Sequence, residues 1–144
     1  MQGPKPGPTP DPADERVFLA SEEDVVWDYG HLSQGDTALI RWRTLVPAGR
    51  TPTSGISMGV CEIPPGSQLA PHHHRPQEVY YVTAGEAEVF LDGGWRPLHA
   101  GDVAYIPGDA VHGLRNRGSA LCRIVWVFPT DTWDEIEYID HEGP

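Results

Sequence analysis

The chain has 144 residues, a length that supports one domain with a single ordinary core. Ten Lys and Arg against 21 Asp and Glu leave a net charge of −11, a surface that repels nucleic acid and anionic membranes and argues against both as partners. No run approaches the roughly 20 apolar residues of a membrane span and no apolar signal core is present, so the expected location is the cytoplasm. Cys61 and Cys122 each sit inside an apolar run and read as buried thiols of a reducing compartment.

Residues 3–12, GPKPGPTPDP, carry proline at every even position from Pro4 to Pro12. Such a stretch donates few ladder hydrogen bonds and buries little, so residues 1–14 read as a disordered, polyproline-like tail ahead of a folded domain over 15–144. Arg16 to Ala20 is a short strand candidate, and Ser21 to Asp24 could cap one helical turn or form only a loop. Thr37 to Val46 reads as a strand with Arg41 and Arg43 on one face and Ile40 and Trp42 on the other. An arginine face lining a cavity would bind a substrate carboxylate; otherwise it is a solvated face or an intersubunit contact. Ile56 to Ile63 is the next strand, ended by Pro64-Pro65-Gly66.

The stretch that follows, GSQLAPHHHRPQEVYYVTAG from Gly66 to Gly85, carries the chemistry. On an extended chain His72 and His74 project from one face and His73 from the other. Glu78 keeps the same even parity and opens the strand-forming run Val79, Tyr80, Tyr81, Val82. Pro71 and Pro76 bracket the histidines and are where this alternation can slip by one residue. Two neutral imidazoles and a carboxylate on one face suit a first-row divalent metal such as Fe, Mn, Ni, Cu or Zn.

Glu78 to Ala84 and Glu86 to Leu91 read as a pair of strands turning at Ala84-Gly85, and Asp92-Gly93-Gly94 is a second turn ahead of Trp95. Gly101 to Asn116, GDVAYIPGDAVHGLRN, supplies a further imidazole, His112, after the strand Val103 to Ile106 and a Pro-Gly turn. Val111 to Leu114 and Leu121 to Phe128 are further strands. Trp133 to Ile139 alternates acidic and apolar residues and reads as an edge strand. His31, His99 and His141 stand outside these stretches and read as surface residues.

The first stretch resembles the first cupin motif, matching it at Gly66, His72, His74, Glu78 and Gly85. The second resembles the second cupin motif at Gly101, Pro107, His112 and Asn116; its inner glycine is replaced by Asp109, a departure that bears on the local turn and not on the ligand. The resemblance implies an all-β, single-domain cupin fold, the double-stranded β-helix or jelly-roll barrel. It also implies one divalent metal held by His72, His74, Glu78 and His112. Four protein ligands in an octahedral site leave two open positions, the mark of a catalytic and not a structural centre.

Tyr80 lies two residues after Glu78, so its phenol should face the same cavity. A free tyrosine has a pKa of about 10 and is a poor base at neutral pH, but a nearby cation favours the phenolate. His-x-His, Glu, then Tyr two later resembles the cupin dimethylsulfoniopropionate lyases, which implies a metal-held substrate carboxylate and Tyr80 as the base of an elimination. Tyr105, Trp126 and Trp42 are candidate cavity walls. Two other classes stay open. One is a dioxygenase of the quercetinase or thiol-oxidising sort, with Glu78 doubling as base. The other is a cupin that assists polyketide ring closure or only binds a small metabolite. The family, and the outward apolar positions Val79 and Tyr81, also lead us to expect a homodimer.

Overall fold

The structure is a computed structural model and describes residues 17–29 and 40–141. The tail of 1–14, Arg16, His31 and positions 37–39 of the expected second strand lie outside the described residues. The described residues form eleven strands: β1 Asp28–Tyr29, β2 Arg41–Val46, β3 Ser57–Ile63, β4 Gln68–His73, β5 Glu78–Ala84, β6 Glu86–Leu91, β7 Gly94–His99, β8 Val103–Ile106, β9 His112–Arg115, β10 Cys122–Phe128 and β11 Ile139–Asp140. They form two antiparallel sheets, ordered β1-β2-β3-β10-β5-β8 and β11-β4-β9-β6-β7. This is the jelly-roll barrel that the motifs imply.

The strands form because the sequence alternates with a period of two. β10 is the clearest case: Cys122, Ile124, Trp126 and Phe128 are buried, and the residues between them are half-buried on the outer face. The two sheets bury a shared core in which Val82, Ile106 and Ile124 meet Val89, Leu98 and Leu114. Gly59 has no side chain because the Trp126 indole and the Arg43 carbonyl occupy that space; an added Cβ would lie 2.4 Å and 2.1 Å from them.

Asp92 and Gly93 both have positive φ, 55° and 79°, so the Asp-Gly pair closes the β6–β7 hairpin with the twist such a turn needs. Ala84-Gly85 behaves differently. β5 and β6 do not pair; the chain passes there from one sheet to the other. Gly85 takes φ 72°, and a Cβ on it would sit 2.2 Å from the Leu121 carbonyl oxygen, so only glycine fits this crossing.

Several expectations are corrected. Val17 to Ala20 are not in a strand and pair with none of the strands of the described residues. Glu22–Asp24 do form a single 3₁₀ turn, without a side-chain cap from Ser21. Trp133 to Ile139 is not an edge strand: Trp133–Glu135 is a 3₁₀ turn capped reciprocally by Thr132 and Glu135, and only Ile139–Asp140 pairs with β4.

Arg41 and Arg43 point away from the barrel interior. Both guanidinium groups stack on Trp27, at 4.0 Å and 4.1 Å from the ring centroid. Arg41 and Arg123 bind Glu62 at 2.6 Å and 3.1 Å, while Arg43 and Arg123 bind Glu22. These arginines therefore hold the segment before β1 against the outer face and are not available to a ligand inside. Trp42, between them, faces the interior and is buried.

Candidate metal centre

The site is assembled from both sheets. His72 ends the inward-facing run of β4 and lies opposite His112 of β9. The β4–β9 register shifts between Leu69 and His72, so an extra residue restores the inward direction at His72 beside Pro71. His74 follows just beyond β4, and its carbonyl oxygen accepts a 2.7 Å hydrogen bond from the Asp109 amide. Asp109 has φ 62°, a left-handed conformation that aspartate tolerates, which explains how it stands where the motif carries glycine. Glu78 opens β5 in the opposite sheet. All four side chains are buried, whereas His73 is half-buried on the other side.

Each imidazole is oriented by its own chain. The Nδ1–H groups of His72, His74 and His112 donate to the carbonyl oxygens of Ala70, Pro76 and Ala110, at 2.9, 2.8 and 2.8 Å. A carbonyl can only accept, so Nδ1 carries the proton and a neutral ring presents a bare Nε2. Among the described residues these three histidines form a cluster whose ligand atoms all lie within 4.8 Å of one another. Glu78 Oε2 sits 3.1 Å from His74 Nε2 and 3.2 Å from His112 Nε2.

That arrangement is unfavourable unless a positive charge sits within it, because bare Nε2 lone pairs and a carboxylate oxygen converge in a dry interior. A proton answers the need in part. Burial is the largest single influence on His74 and opposes its charge, but the hydrogen bond and charge of Glu78 together with nearby backbone carbonyls overcome it and raise the pKa. Burial likewise opposes the Glu78 carboxylate, yet His112 and His74 together pull its pKa below the usual value. Burial, with His112 beside it, pushes His72 down to about 4, so that ring is neutral and ready to coordinate. Three imidazole nitrogens and one carboxylate are a donor set that fits a first-row divalent cation.

Beside this cluster lies a cavity of about 60 Å³ walled by Trp42, Trp126, Phe128, Trp133, Tyr138 and Tyr80, with Cys61 also in the wall. Tyr80 lies where parity placed it, and Trp42 and Trp126, whose facing the alternation left open, are walls. Tyr105 is not a wall: it is exposed on the outer face and donates to Gln77 at 2.6 Å. Cys61 is half-buried, packed against the core at the cavity wall, whereas Cys122 is fully buried; both are free thiols. Burial and then Glu78 push the Tyr80 phenol well above its ordinary value.

Tyr138, Trp133 and Phe128 are site residues that the sequence reading did not single out. The Tyr138 ring lies 5.6 Å from His72 and 5.3 Å from His74 between centroids, and Phe128 lies 5.3 Å from His74. The readable signal was the Thr132-x-x-Glu135 capping pattern, which ends strand pairing and starts a turn.

The cupin domain family pattern matches residues 59–128, the span from β3 through β10 that holds all four clustered residues. The protein SchB of Streptomyces halstedii is 37% identical over 100 residues, covering 68% of this chain and 72% of that protein. The chain belongs to the cupin family. The dimethylsulfoniopropionate lyase DddW of Ruegeria pomeroyi is 37% identical over 99 residues, 69% of this cupin but only 64% of the lyase's own length. Among solved structures, the polyketide cyclase RemF of Streptomyces resistomycificus superposes with a TM-score of 0.74, covering 89% of this chain and 87% of that one. At 18% identity that likeness speaks for the fold alone. No helix of the described residues is long and apolar enough to cross a membrane.

A cation taken up by these four side chains would displace a proton from His74, whose pKa is raised. Because the His74 pKa is raised, affinity for zinc should climb as pH rises through about 6.5 and flatten only above the raised value. His72 adds a further loss only as pH approaches about 4. Titration calorimetry at pH 6.5 in two buffers of different protonation enthalpy should detect a released proton. Affinity that is flat from pH 6 to 8, with no proton released, would contradict this.

Proposed function

We propose that this cupin is a metal-dependent lyase acting on a small carboxylate, of the dimethylsulfoniopropionate-lyase kind. His72, His74, Glu78 and His112 hold one divalent first-row metal, and Tyr80 is the general base. The observation that carries the reading is Tyr80 on the ligand face of β5, two residues from Glu78 and in the wall of the same cavity, in a chain 37% identical to the lyase DddW.

The cavity chemistry supports a small substrate with one charged end. Among the described residues neither Lys nor Arg lines it, and its polar end is the imidazole–carboxylate cluster. The opposite walls are aromatic faces, which attract an alkyl-onium group such as a sulfonium. A volume of about 60 Å³ holds a few water-sized groups, the room of a short acid and not of a polycyclic one.

The bound metal would supply positive charge that neutralises the substrate carboxylate and favours the phenolate of Tyr80. Burial and Glu78 hold that phenol protonated on their own, so the base depends on this charge. Tyr80 then takes the proton from the carbon next to the carboxylate. The C–H electron pair becomes the new C=C bond, and the carbon–sulfur bond breaks with its pair leaving on dimethyl sulfide. The products are acrylate and dimethyl sulfide, with the proton on Tyr80 Oη. The aromatic walls exclude water from this step.

Tyr80→Phe keeps the ring but loses the ionisable oxygen. Turnover of dimethylsulfoniopropionate should fall by about 10²–10⁴ at unchanged metal content, and the wild type should turn over equally under argon and in air. Full activity of Tyr80→Phe makes the tyrosine a wall. Turnover that stops under argon favours the dioxygenase reading, and metal retention with no turnover of any small acid favours a binding role.

We also propose a homodimer formed through the outer face of the first sheet, in the cytoplasm, where Cys61 and Cys122 stay reduced. Tyr81 is exposed, and its neighbours on the edge strand β8, Val103 and Tyr105, are exposed beside it. Such an edge and face are what a partner chain covers. Light scattering at micromolar concentration should return twice the 15.8 kDa of one chain; the monomer mass would contradict it.

A further inference from the structure

Most of the cavity is walled by strands that are laddered on both sides. β2, β3, β5, β9 and β10 each pair with two neighbours, and β4 is held by β9 on one side. None of these can move without breaking its sheet. The rest of the wall is Ile40, just ahead of β2, and two aromatic residues that come from no barrel strand. Trp133 and Tyr138 reach the cavity from a strap, residues 133–141, that crosses from the end of β10 to the edge of β4.

The strap is tied firmly at its start and lightly at its end. Asp131, just before it, accepts from the Ala48 amide through its carbonyl oxygen and from the Gly55 amide through Oδ1, both at 2.7 Å. Trp133 stands edge-on to Trp42 with centroids 5.8 Å apart and donates from Nε1 to Thr44 Oγ1 at 2.9 Å. Ile136 is buried, and beyond it Tyr138 lies on His72 and His74. The far end is held by the two-residue pairing of Ile139 and Asp140 with His73 and His72, and by the His141 amide on the Pro71 carbonyl at 3.1 Å. Ile139 and Asp140 are exposed. A segment with so few buried contacts and a short, solvated ladder opens locally at far lower cost than the barrel unfolds.

We propose that the strap of residues 133–141 is the gate of the cavity: its far end detaches from β4 and swings about the Asp131 anchor, carrying Tyr138 off the histidine cluster to let small molecules pass. This rests on the same cavity being the working site, but it concerns access and not the reaction. Closure restores two aromatic walls and excludes water; opening exposes the histidine cluster to solvent.

Two cysteines of the chain report the motion. Cys61 lines the cavity, whereas Cys122 is fully buried and lines none of it, so Cys122 labels only when the barrel itself opens. Iodoacetamide labelling, followed peptide by peptide, should modify Cys61 at least ten-fold faster than Cys122 in the wild type. His73 and Ile139 are directly paired across the strands, at the about 4.5–5.5 Å spacing a disulfide can span. Oxidised His73→Cys with Ile139→Cys should slow Cys61 by ten-fold or more, and reduction should restore it. Ile136→Ala, which leaves every ladder intact, should raise the ratio of the Cys61 rate to the Cys122 rate. A Cys61 rate indifferent to the lock, or a ratio unchanged by Ile136→Ala, would overturn the gate. Neither measurement needs metal or turnover, so such a result would leave the lyase reading to be judged by its own experiment.

Discussion

Three hydrogen bonds, from the Nδ1–H groups of His72, His74 and His112 to the carbonyls of Ala70, Pro76 and Ala110, set what the interior of this protein can bind. Each bond is made within two residues of its own histidine, so the backbone that places the ring also fixes its proton. The Nε2 lone pairs are then turned inward, two of them onto Glu78. With all three rings neutral, acceptors face acceptors around a carboxylate, and burial makes that costly. A cation at the point where they converge removes the cost. The rest of the fold serves this convergence: β4 and β9 bring the imidazoles together in one sheet, and β5 brings the carboxylate from the other.

The same dry surroundings that strengthen the cluster also constrain the chemistry beside it. Tyr80, Tyr138 and Cys61 all lie in the cavity wall, and burial pushes each of these acidic groups upward, with Glu78 adding to the effect. None of them is a base by itself. Charge introduced at the cluster is what distinguishes an inert aromatic pocket from a reactive one, and its influence is greatest where water is excluded. The arginines of β2 and β10, which could have supplied fixed positive charge, are spent outside: Arg41, Arg43 and Arg123 pair with Glu22 and Glu62 on the outer face.

How much of this was legible depends on which residues carry a local pattern. His72, His74, Glu78 and His112 stand at fixed spacings, and the structure brings them together as those spacings imply. Tyr80 follows from strict alternation along β5. The Asp-Gly turn after Leu91 was equally plain, since both of its positive φ values are demanded by a two-residue hairpin. What could not be read was set by long-range packing. Ala84-Gly85 looks like a hairpin, yet Gly85 passes under Leu121, a neighbour 36 positions away, and changes sheet. Arg41 and Arg43 show alternation but not which side is inside; Trp27, far along the chain, settles that by stacking on them. The run from Trp133 onward alternates like a strand, but the Thr132 cap turns it, and Tyr138 arrives at the histidines by a route that no alternation describes.

Central to the proposal is that a divalent metal is held by His72, His74, Glu78 and His112 together and by no other group of the cavity. X-ray absorption at the zinc edge of the loaded protein addresses it directly, because imidazole rings give multiple-scattering features and sulfur lies at a longer distance than nitrogen or oxygen, about 2.3 Å against about 2.0–2.2 Å. The account predicts a first shell of nitrogen and oxygen only, with the scattering of three imidazoles. A sulfur at about 2.3 Å, bringing Cys61 into the shell, or fewer than three imidazoles, would contradict it.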